Sequence, residues 1–270
     1  MLAPAADQPA GARVLSLLYI VLPAYNEERG IALLLRRIDA ALQSQAIAYR
    51  ALVVDDGSHD NTAALVEDLA AALPVELLRH GHNRGVGRAL ATGLAQAARL
   101  AGPDDAIVTM EGDNGSDPGY IRLLLEQLDQ GADIAIASPF APGARFDVPP
   151  KRWVLSVGAN TLLRLLVRLP GVRCYTGMYR AFRADLLQRA CKQHGDQIVT
   201  MDGFTGVAEL MINLAPLRPR VREIPIYHTL EAGRQSKIRV LPTIRAYLRL
   251  MARALRPRNL PSLPTGRGLG

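Results

Sequence analysis

"YRALVVDDGSHDNTAALVEDLAAAL", residues 49–73, decides how this chain folds. Its first part, 49–58, is an apolar run that breaks abruptly into two carboxylates. Its second, 60–73, carries apolar residues at helical spacing behind Asp60, a residue suited to cap a helix N-terminus. An apolar run closed by turn residues and followed by a helix marks a strand buried on both faces of a parallel sheet.

The same unit recurs on either side. "VLSLLYIVLPA" (14–24) is a strand ending at Pro23, and "EERGIALLLRRIDAALQSQ" (27–45) has helical periodicity. "VELLRH" (75–80) is a third strand, followed by a helix over "GRALATGLAQAARLA". "AIVTME" (106–111) is a fourth strand, and a helix from Pro118 to about Gln130 leads to a fifth, "ADIAIAS" (132–138). Strands alternating with helices of this length predict an α/β fold with a parallel sheet covered on both faces.

Ligands of such sheets sit beyond the carboxyl ends of the strands. Three of those ends are polar: "PAYNEE", "DDGSHDNT" and "EGDNGSD". Asp55 and Asp56 point to opposite sides if the strand is still extended, so one can close the turn while the other meets a ligand's base or ribose; both can equally serve an Asx-type turn. Glu111-x-Asp113 sets two carboxylates on one side of extended backbone, which suits Mg²⁺ or Mn²⁺ bridging to substrate phosphates. Asp117-Pro118 reads as a helix N-cap with proline in the first turn. In "HNRGVGRALATG" the glycines Gly85, Gly87 and Gly93 have the wrong spacing for a dinucleotide fingerprint and follow the third strand, which excludes a nicotinamide oxidoreductase. That segment is a tight strand-to-helix turn from which Asn83 and Arg84 reach a nucleotide. No GxSxG elbow is present, and the histidines and cysteines lack zinc-site spacing.

The 270 residues, 49% hydrophobic and 21% charged, are ordinary globular composition with enough chain for a sizeable core. The net charge is +7 and unevenly spread: no acidic residue follows Glu231, whereas Lys237, Arg239, Arg245, Arg249, Arg253, Arg256, Arg258 and Arg267 do. Such an end suits nucleic acid, anionic lipid or a phosphorylated substrate. No apolar run approaches the roughly 20 residues of a spanning helix, so a membrane would be touched rather than crossed. "MLAPAADQPAGAR" reads as a flexible tail without a signal-peptide core, and two cysteines without a CxxC pattern suggest a reducing compartment. After about residue 139 the rhythm changes. "WVLSVGANTLLRLLVRL" (153–169) places Arg164 and Arg168 on one face of an apolar helix, and "IRAYLRLMARAL" repeats Arg245, Arg249 and Arg253 at i, i+4 spacing. Each is either a core-packed helix with a solvated basic stripe or a helix lying in a membrane interface.

"VLPAYNEE", "VVDDGSHDNT", "HNRGVGRALATG", "MEGDNGSDPGYI", "YRAFRADLL" and "EIPIYHTLEAGRQSK" occur in that order. Together they resemble the family-two glycosyltransferases of GT-A fold, in the dolichyl-phosphate mannosyltransferase-like (polyprenyl-phosphate glycosyl synthase) branch, over roughly residues 14 to 255. The resemblance implies an α/β, Rossmann-like, mostly parallel sheet with C-terminal amphipathic interface helices. It implies an inverting, metal-dependent transfer of a hexose, mannose or glucose, from a GDP- or UDP-linked sugar to a polyprenyl or dolichyl phosphate. Pro23, Tyr25 and Glu27 match the family's nucleotide-contacting motif, and Val54 and Asp56 the positions beside base and ribose. Glu111, Gly112 and Asp113 fall on its metal motif, with Glu111 and Asp113 as ligands of Mg²⁺ or Mn²⁺. Arg152 and Ser156 match its acceptor-phosphate element, Arg180 a retained arginine on the acceptor side, and Lys237 a late lysine facing the diphosphate. Asp113, Arg152 and Lys237 are then the expected catalytic residues. The pattern departs at Glu111, Gly115, Pro139 (with Arg145 nearby), Cys174 and Glu231 (with Arg234 nearby), which bears on the sugar and the acceptor more than on the reaction class.

On this reading residues 1–13 are a tail, 14–138 bind the nucleotide sugar, 139–237 bind the acceptor, and 238–270 form a basic amphipathic helix and tail. The expected partners are the nucleotide sugar, the lipid phosphate and a membrane surface at its cytoplasmic face, with room for a membrane-anchoring subunit and no nucleic acid. A phosphate monoester, with a second pKa of about 6, attacks without a general base. A hydroxyl acceptor would need one, from Glu209 or Asp202. A degenerate nucleotide-sugar-binding protein is the third alternative.

Overall fold

A computed structural model describes residues 16–229 and 240–254. The βα units form as their spacing predicts: β1 (Leu18–Ala24), α1 (Ile31–Gln43), β2 (Tyr49–Asp55), α2 (Thr62–Ala70), β3 (Val75–Arg79), α3 (Val86–Leu100), β4 (Ala106–Thr109), α4 (Tyr120–Asp129) and β5 (Ile134–Ser138). The remainder contributes β6 (Arg145–Asp147), α5 (Pro150–Val167), β7 (Arg180–Arg183), α6 (Ala184–His194), α7 (Thr205–Leu214), β8 (Val221–Pro225), β9 (Tyr227–Thr229) and α8 (Val240–Ala254). The main sheet runs β3-β2-β1-β4-β7-β5-β8, and β6 pairs with β9 in a small second sheet.

Two details differ from the sequence expectation. The sheet is mixed, because β7 inserts antiparallel between β4 and β5 with Thr109 opposite Arg180 and Ile136 opposite the same residue. The helices after β2 and β4 also begin later than their acidic residues suggest. Asp60 and Asp117 cap the preceding turns instead, accepting the N–H of Thr62 at 3.0 Å and of Gly119 at 3.1 Å.

Strand residues alternate between two cores. Leu18, Ile20 and Leu22 pack with α1, α2 and α4 on one face, while Tyr19 and Val21 pack with α3, α6 and α7 on the other. All seven residues of β1 are buried, as a central strand covered on both sides requires. α5 behaves differently: Leu163 is buried, but Trp153, Val154, Leu155, Leu162 and Leu165 remain exposed. α8 packs against α5 and α7, burying Leu250 and Met251 and exposing Arg245, Leu248 and Arg249.

The turn into α3 is held by close backbone approach. Gly87 donates its N–H to the Asp202 carbonyl at 2.8 Å, and a Cβ at Gly87 would lie 1.9 Å from the Met201 carbonyl oxygen. Gly87→Ala therefore forces the two loops apart, an overpacking cost of about 2 kcal/mol, seen as a lower chemical-denaturation midpoint. Gly158, in the exposed part of α5 with nothing near its missing Cβ, is the control. Gly158→Ala leaves the midpoint unchanged or raises it, because alanine favours a helix by up to about 1 kcal/mol.

Candidate active site

The polar strand ends meet at one edge of the sheet. After β1 the chain bends at Asn26, whose φ is +53°. Its N–H donates to Ser58 Oγ at 2.9 Å, its side-chain carbonyl accepts the His59 N–H at 2.9 Å, and the Glu27 N–H donates to Thr62 Oγ1 at 2.8 Å. Tyr25 meets the His59 ring edge-on, with centroids 6.4 Å apart. Pro23 accepts the Gly112 N–H at 3.1 Å, and a Cβ on Gly112 would lie 2.7 Å from that same oxygen. Glycine here lets the loop after β4 lie directly on the end of β1. Pro23 is thereby brought onto Gly112, and Gly30, three residues beyond Glu27, lies against the Asp113 carbonyl.

The two carboxylates form the electrostatic centre of this edge. Burial and the neighbouring charge of Asp113 push the Glu111 carboxyl up to about 7, against the opposing pull of its own backbone N–H, the Ser116 hydroxyl and Arg180. Such a pair offers hard oxygen donors and fits Mg²⁺ or Mn²⁺, which commonly share one or two protein carboxylates with substrate phosphates. Among the described residues no three His, Cys, Asp or Glu side chains cluster as a metal cage. Asn114, at φ +59°, turns the loop, and Arg37 of α1 braces it by donating to Asn114 Oδ1 at 2.8 Å and to Asp117 Oδ1 at 3.3 Å. Nothing in the local pattern of α1 marks Arg37 for this task, because its partners lie some 80 residues away.

Arg152, in the first turn of α5, belongs to the same centre. Burial pulls its pKa down, and the charges of Glu111 and Asp113 pull it up. Ser156 stands one turn further along the helix and is half-buried. Asn160 staples this helix to the loop before β7: its Nδ2 donates to the Ser156 carbonyl at 2.8 Å and to Thr176 Oγ1 at 2.9 Å, while its Oδ1 accepts the Tyr175 N–H at 2.6 Å.

Several of the expected ligand residues are engaged by the protein itself. Val54 is fully buried and its side chain faces Gly93 of α3. Asp56 is almost fully buried, and its carboxylate accepts hydrogen bonds from His80 Nδ1 and the backbone of Arg84 and Gly85. Arg180 does not present itself to an acceptor. Its guanidinium is buried and donates to the carbonyls of Val207, Cys174 and Tyr175 at 3.1, 3.3 and 2.7 Å. Cys174, at the place of the family's acid, is a free, buried thiol whose pKa burial raises to about 11, so it does not neutralise that guanidinium. Glu209 is likewise buried, accepting the N–H groups of Thr200 and Met201 at 2.7 and 2.8 Å and the Thr200 hydroxyl at 2.6 Å. Lys237, Glu231 and Arg234 lie outside the described residues.

A family model for glycosyl transferase family 2 matches residues 19–190, from within β1 to within α6. The chain belongs to glycosyltransferase family 2. As a family-2 glycosyltransferase it is 35% identical over 188 residues to a polyprenol monophosphomannose synthase of Mycolicibacterium smegmatis, covering 68% of either chain. It is 28% identical over 239 residues to a dolichol-phosphate mannosyltransferase of Pyrococcus furiosus, covering 88% of this chain and 63% of that one. The sheet is of GT-A type. It superposes on glucosyl-3-phosphoglycerate synthase from Mycobacterium tuberculosis, solved with Mn²⁺, UDP-glucose and phosphoglyceric acid, with a TM-score of 0.59 at 20% identity over 90% of this chain and 81% of that one. Mannosyl-3-phosphoglycerate synthase from Rubrobacter xylanophilus gives 0.61 at 18% identity over 92% and 79%.

The raised Glu111 carboxyl carries a sign. In metal-free protein the folded group titrates above its ordinary range, so its ionisation destabilises the fold. That effect is absent below the ordinary carboxylate range and complete above about pH 7. In EDTA, Glu111→Gln raises the denaturation midpoint over wild type at about pH 8, and the gain shrinks towards about pH 5. A gain independent of pH would contradict this assignment.

Proposed function

We propose that this transferase moves a hexose, mannose or glucose, from a GDP- or UDP-linked sugar to a polyprenyl phosphate, with inversion, at the cytoplasmic face of a membrane. One juxtaposition carries the reading. α5 holds Arg152 at its first turn within electrostatic reach of the Glu111–Asp113 pair and displays Trp153, Val154, Leu155, Leu162 and Leu165 outward along its length. A cation at the site and an apolar helix face leading away from it match an acceptor with a phosphate head and a hydrocarbon tail. Two relatives carry polyprenol or dolichol-phosphate in their names, and a third is an undecaprenyl-phosphate 4-deoxy-4-formamido-L-arabinose transferase of Pseudomonas fluorescens, 33% identical over 195 residues.

The chemistry follows from charge. Arg152, with Ser156 a turn away, binds the acceptor phosphate and points one of its oxygens at the anomeric carbon. The phosphate is largely dianionic near neutrality, so the attack needs no base. The Glu209 carboxylate holds the loop at Thr200 and Met201, which disfavours it as a base for a hydroxyl acceptor. Pro23, Tyr25 and Glu27 border the nucleotide. Glu111 and Asp113 would hold Mg²⁺ or Mn²⁺, which supplies positive charge to a departing nucleoside diphosphate. Lys237, outside the described residues, is assigned to the same diphosphate. Residues 14–138 then serve the donor and 139–237 the acceptor.

The chain spans between 53% and 68% of the length of these three relatives, so the whole reaction is tested on the protein itself. Purified enzyme with Mn²⁺ and labelled GDP-mannose or UDP-glucose transfers label to a short polyprenyl phosphate. EDTA stops the transfer, and Arg152→Ala slows it by about a hundredfold, as loss of a charged contact made in the transition state does. Label passing only to a small alcohol would favour the hydroxyl-acceptor reading, and nucleotide-sugar binding without transfer the degenerate one.

Membrane contact has its own reporter, because Trp153 is the single tryptophan and is 48% exposed. Vesicles containing anionic lipid shift its emission to shorter wavelength and sediment with the protein, and added salt weakens both effects. Leu165→Asp, at the most exposed apolar side chain of α5, reduces sedimentation. Unchanged emission with no sedimentation would direct the helix to a membrane-anchoring subunit instead.

A further inference from the structure

Asp56 stands where a carboxylate was expected to read the nucleotide, yet the protein itself already engages it. Its Oδ1 accepts from His80 Nδ1 at 2.7 Å and from the Arg84 N–H at 3.0 Å, and its Oδ2 accepts the Gly85 N–H at 2.7 Å. His80 is nearly buried, its backbone N–H donates to the Asp55 carbonyl at 2.9 Å, and its Nε2 lies 3.0 Å from Thr92 Oγ1 on α3. A carboxylate only accepts, so Nδ1 carries the proton facing Asp56. In the neutral tautomer Nε2 then accepts the Thr92 hydroxyl proton. This is a directed relay from a helix, through a ring, to a carboxylate that grips two consecutive backbone N–H groups.

The gripped backbone has no slack. A Cβ at Gly57 would lie 2.5 Å from the His82 carbonyl carbon, and one at Gly85 would lie 2.2 Å from the Asp202 carbonyl oxygen. The loop 82–85 is thus clamped between the turn after β2 and the segment before α7. Its side chains His82, Asn83 and Arg84 are exposed at the strand-end edge, next to the turn that carries Ser58 and His59. This loop, unlike the buried Asp56, exposes donors and acceptors at that end.

We propose that His80 and Thr92 are positioning residues for the nucleotide, fixing Asp56 so that the exposed His82–Asn83–Arg84 segment forms the base-recognising wall. The inference rests on the nucleotide-sugar reading above. Asparagine and glutamine separate the two ring nitrogens. His80→Asn keeps a donor near the Nδ1 position and so the bond to Asp56, whereas His80→Gln reaches towards Thr92 and loses Asp56. Thr92→Val removes the far end of the relay at constant shape.

The test measures the dissociation constants of GDP and of UDP, each with Mn²⁺, by calorimetry on wild type and the three variants, with circular-dichroism melts alongside. The better-bound nucleotide loses about tenfold in affinity in His80→Gln, the scale of one hydrogen bond to a charged group. It loses a few-fold in Thr92→Val, is restored to within about threefold of wild type in His80→Asn, and the preference between GDP and UDP narrows in step. Equal losses in His80→Asn and His80→Gln, or unchanged affinities with lowered melting temperatures, would make His80 a purely structural histidine and overturn the inference alone. Wild type binding neither nucleotide would overturn the nucleotide-sugar reading and this inference with it.

Discussion

Two carboxylates set side by side at a sheet edge repel each other, and much of this structure answers that repulsion. Glu111 and Asp113 are separated only by Gly112, whose contact with the Pro23 carbonyl leaves the loop no room to spread. The Glu111 carboxyl is consequently raised to about 7 by burial and by its neighbour. Positive charge comes from two directions: Arg180 from the core side, itself anchored on three carbonyls, and Arg152 from the first turn of α5. Arg37 holds the far limb of the loop through Asn114 and Asp117. On the proposed reading, the charge the protein leaves uncompensated at this pair is met by a divalent cation.

The other acidic residues of the edge play a different part. Asp55 accepts the Ser58 N–H at 3.1 Å, Asp60 the Thr62 N–H at 3.0 Å, and Asp56 and Glu209 grip the loops that flank the turn into α3. Those loops meet through the N–H of Gly87 on the Asp202 carbonyl, and Arg88 reaches the Val199 carbonyl at 3.3 Å. The turn into α3 and the segment before α7 are thus joined by hydrogen bonds that end on backbone groups. A residue that merely completes such a seam looks, in one dimension, the same as one that binds substrate.

That ambiguity marks how far the sequence could be read. The βα rhythm through β5, the polar strand ends and the carboxylate pair were legible because each is a local pattern: an apolar run, a turn residue, a spacing of two. β7 was not, since "RAFR" is four residues long and takes its place only by pairing antiparallel with strands that begin some 45 and 75 residues earlier. Val54 and Asp56 sat in a recognisable motif, but the side on which each faces ligand or core depends on α3 and on His80, which lie outside it. Arg180 was placed on the acceptor side by the resemblance alone. Its burial follows from carbonyls brought to it by the loop at Cys174 and Tyr175 and by α7.

α5 poses the remaining physical question, because a helix with its outward face apolar gains little by standing in water. Single exposed hydrophobic residues need no explanation, but Val154 at 61% and Leu165 at 65% exposure stand with three others on one helix. Covering the exposed fraction of five such side chains is worth about 1 kcal/mol each. The sum matches the weak, reversible membrane attachment of a single acyl chain. A basic stripe is the usual second signal, at about 1 kcal/mol per residue near an anionic surface, and Arg164, Arg168, Arg245 and Arg249 are all exposed. On the proposed reading these two terms do more than hold the enzyme to a surface. Because Arg152 begins the same helix, the depth at which the apolar face settles also sets the height of the guanidinium, and a lipid phosphate at the headgroup level is met without leaving its membrane.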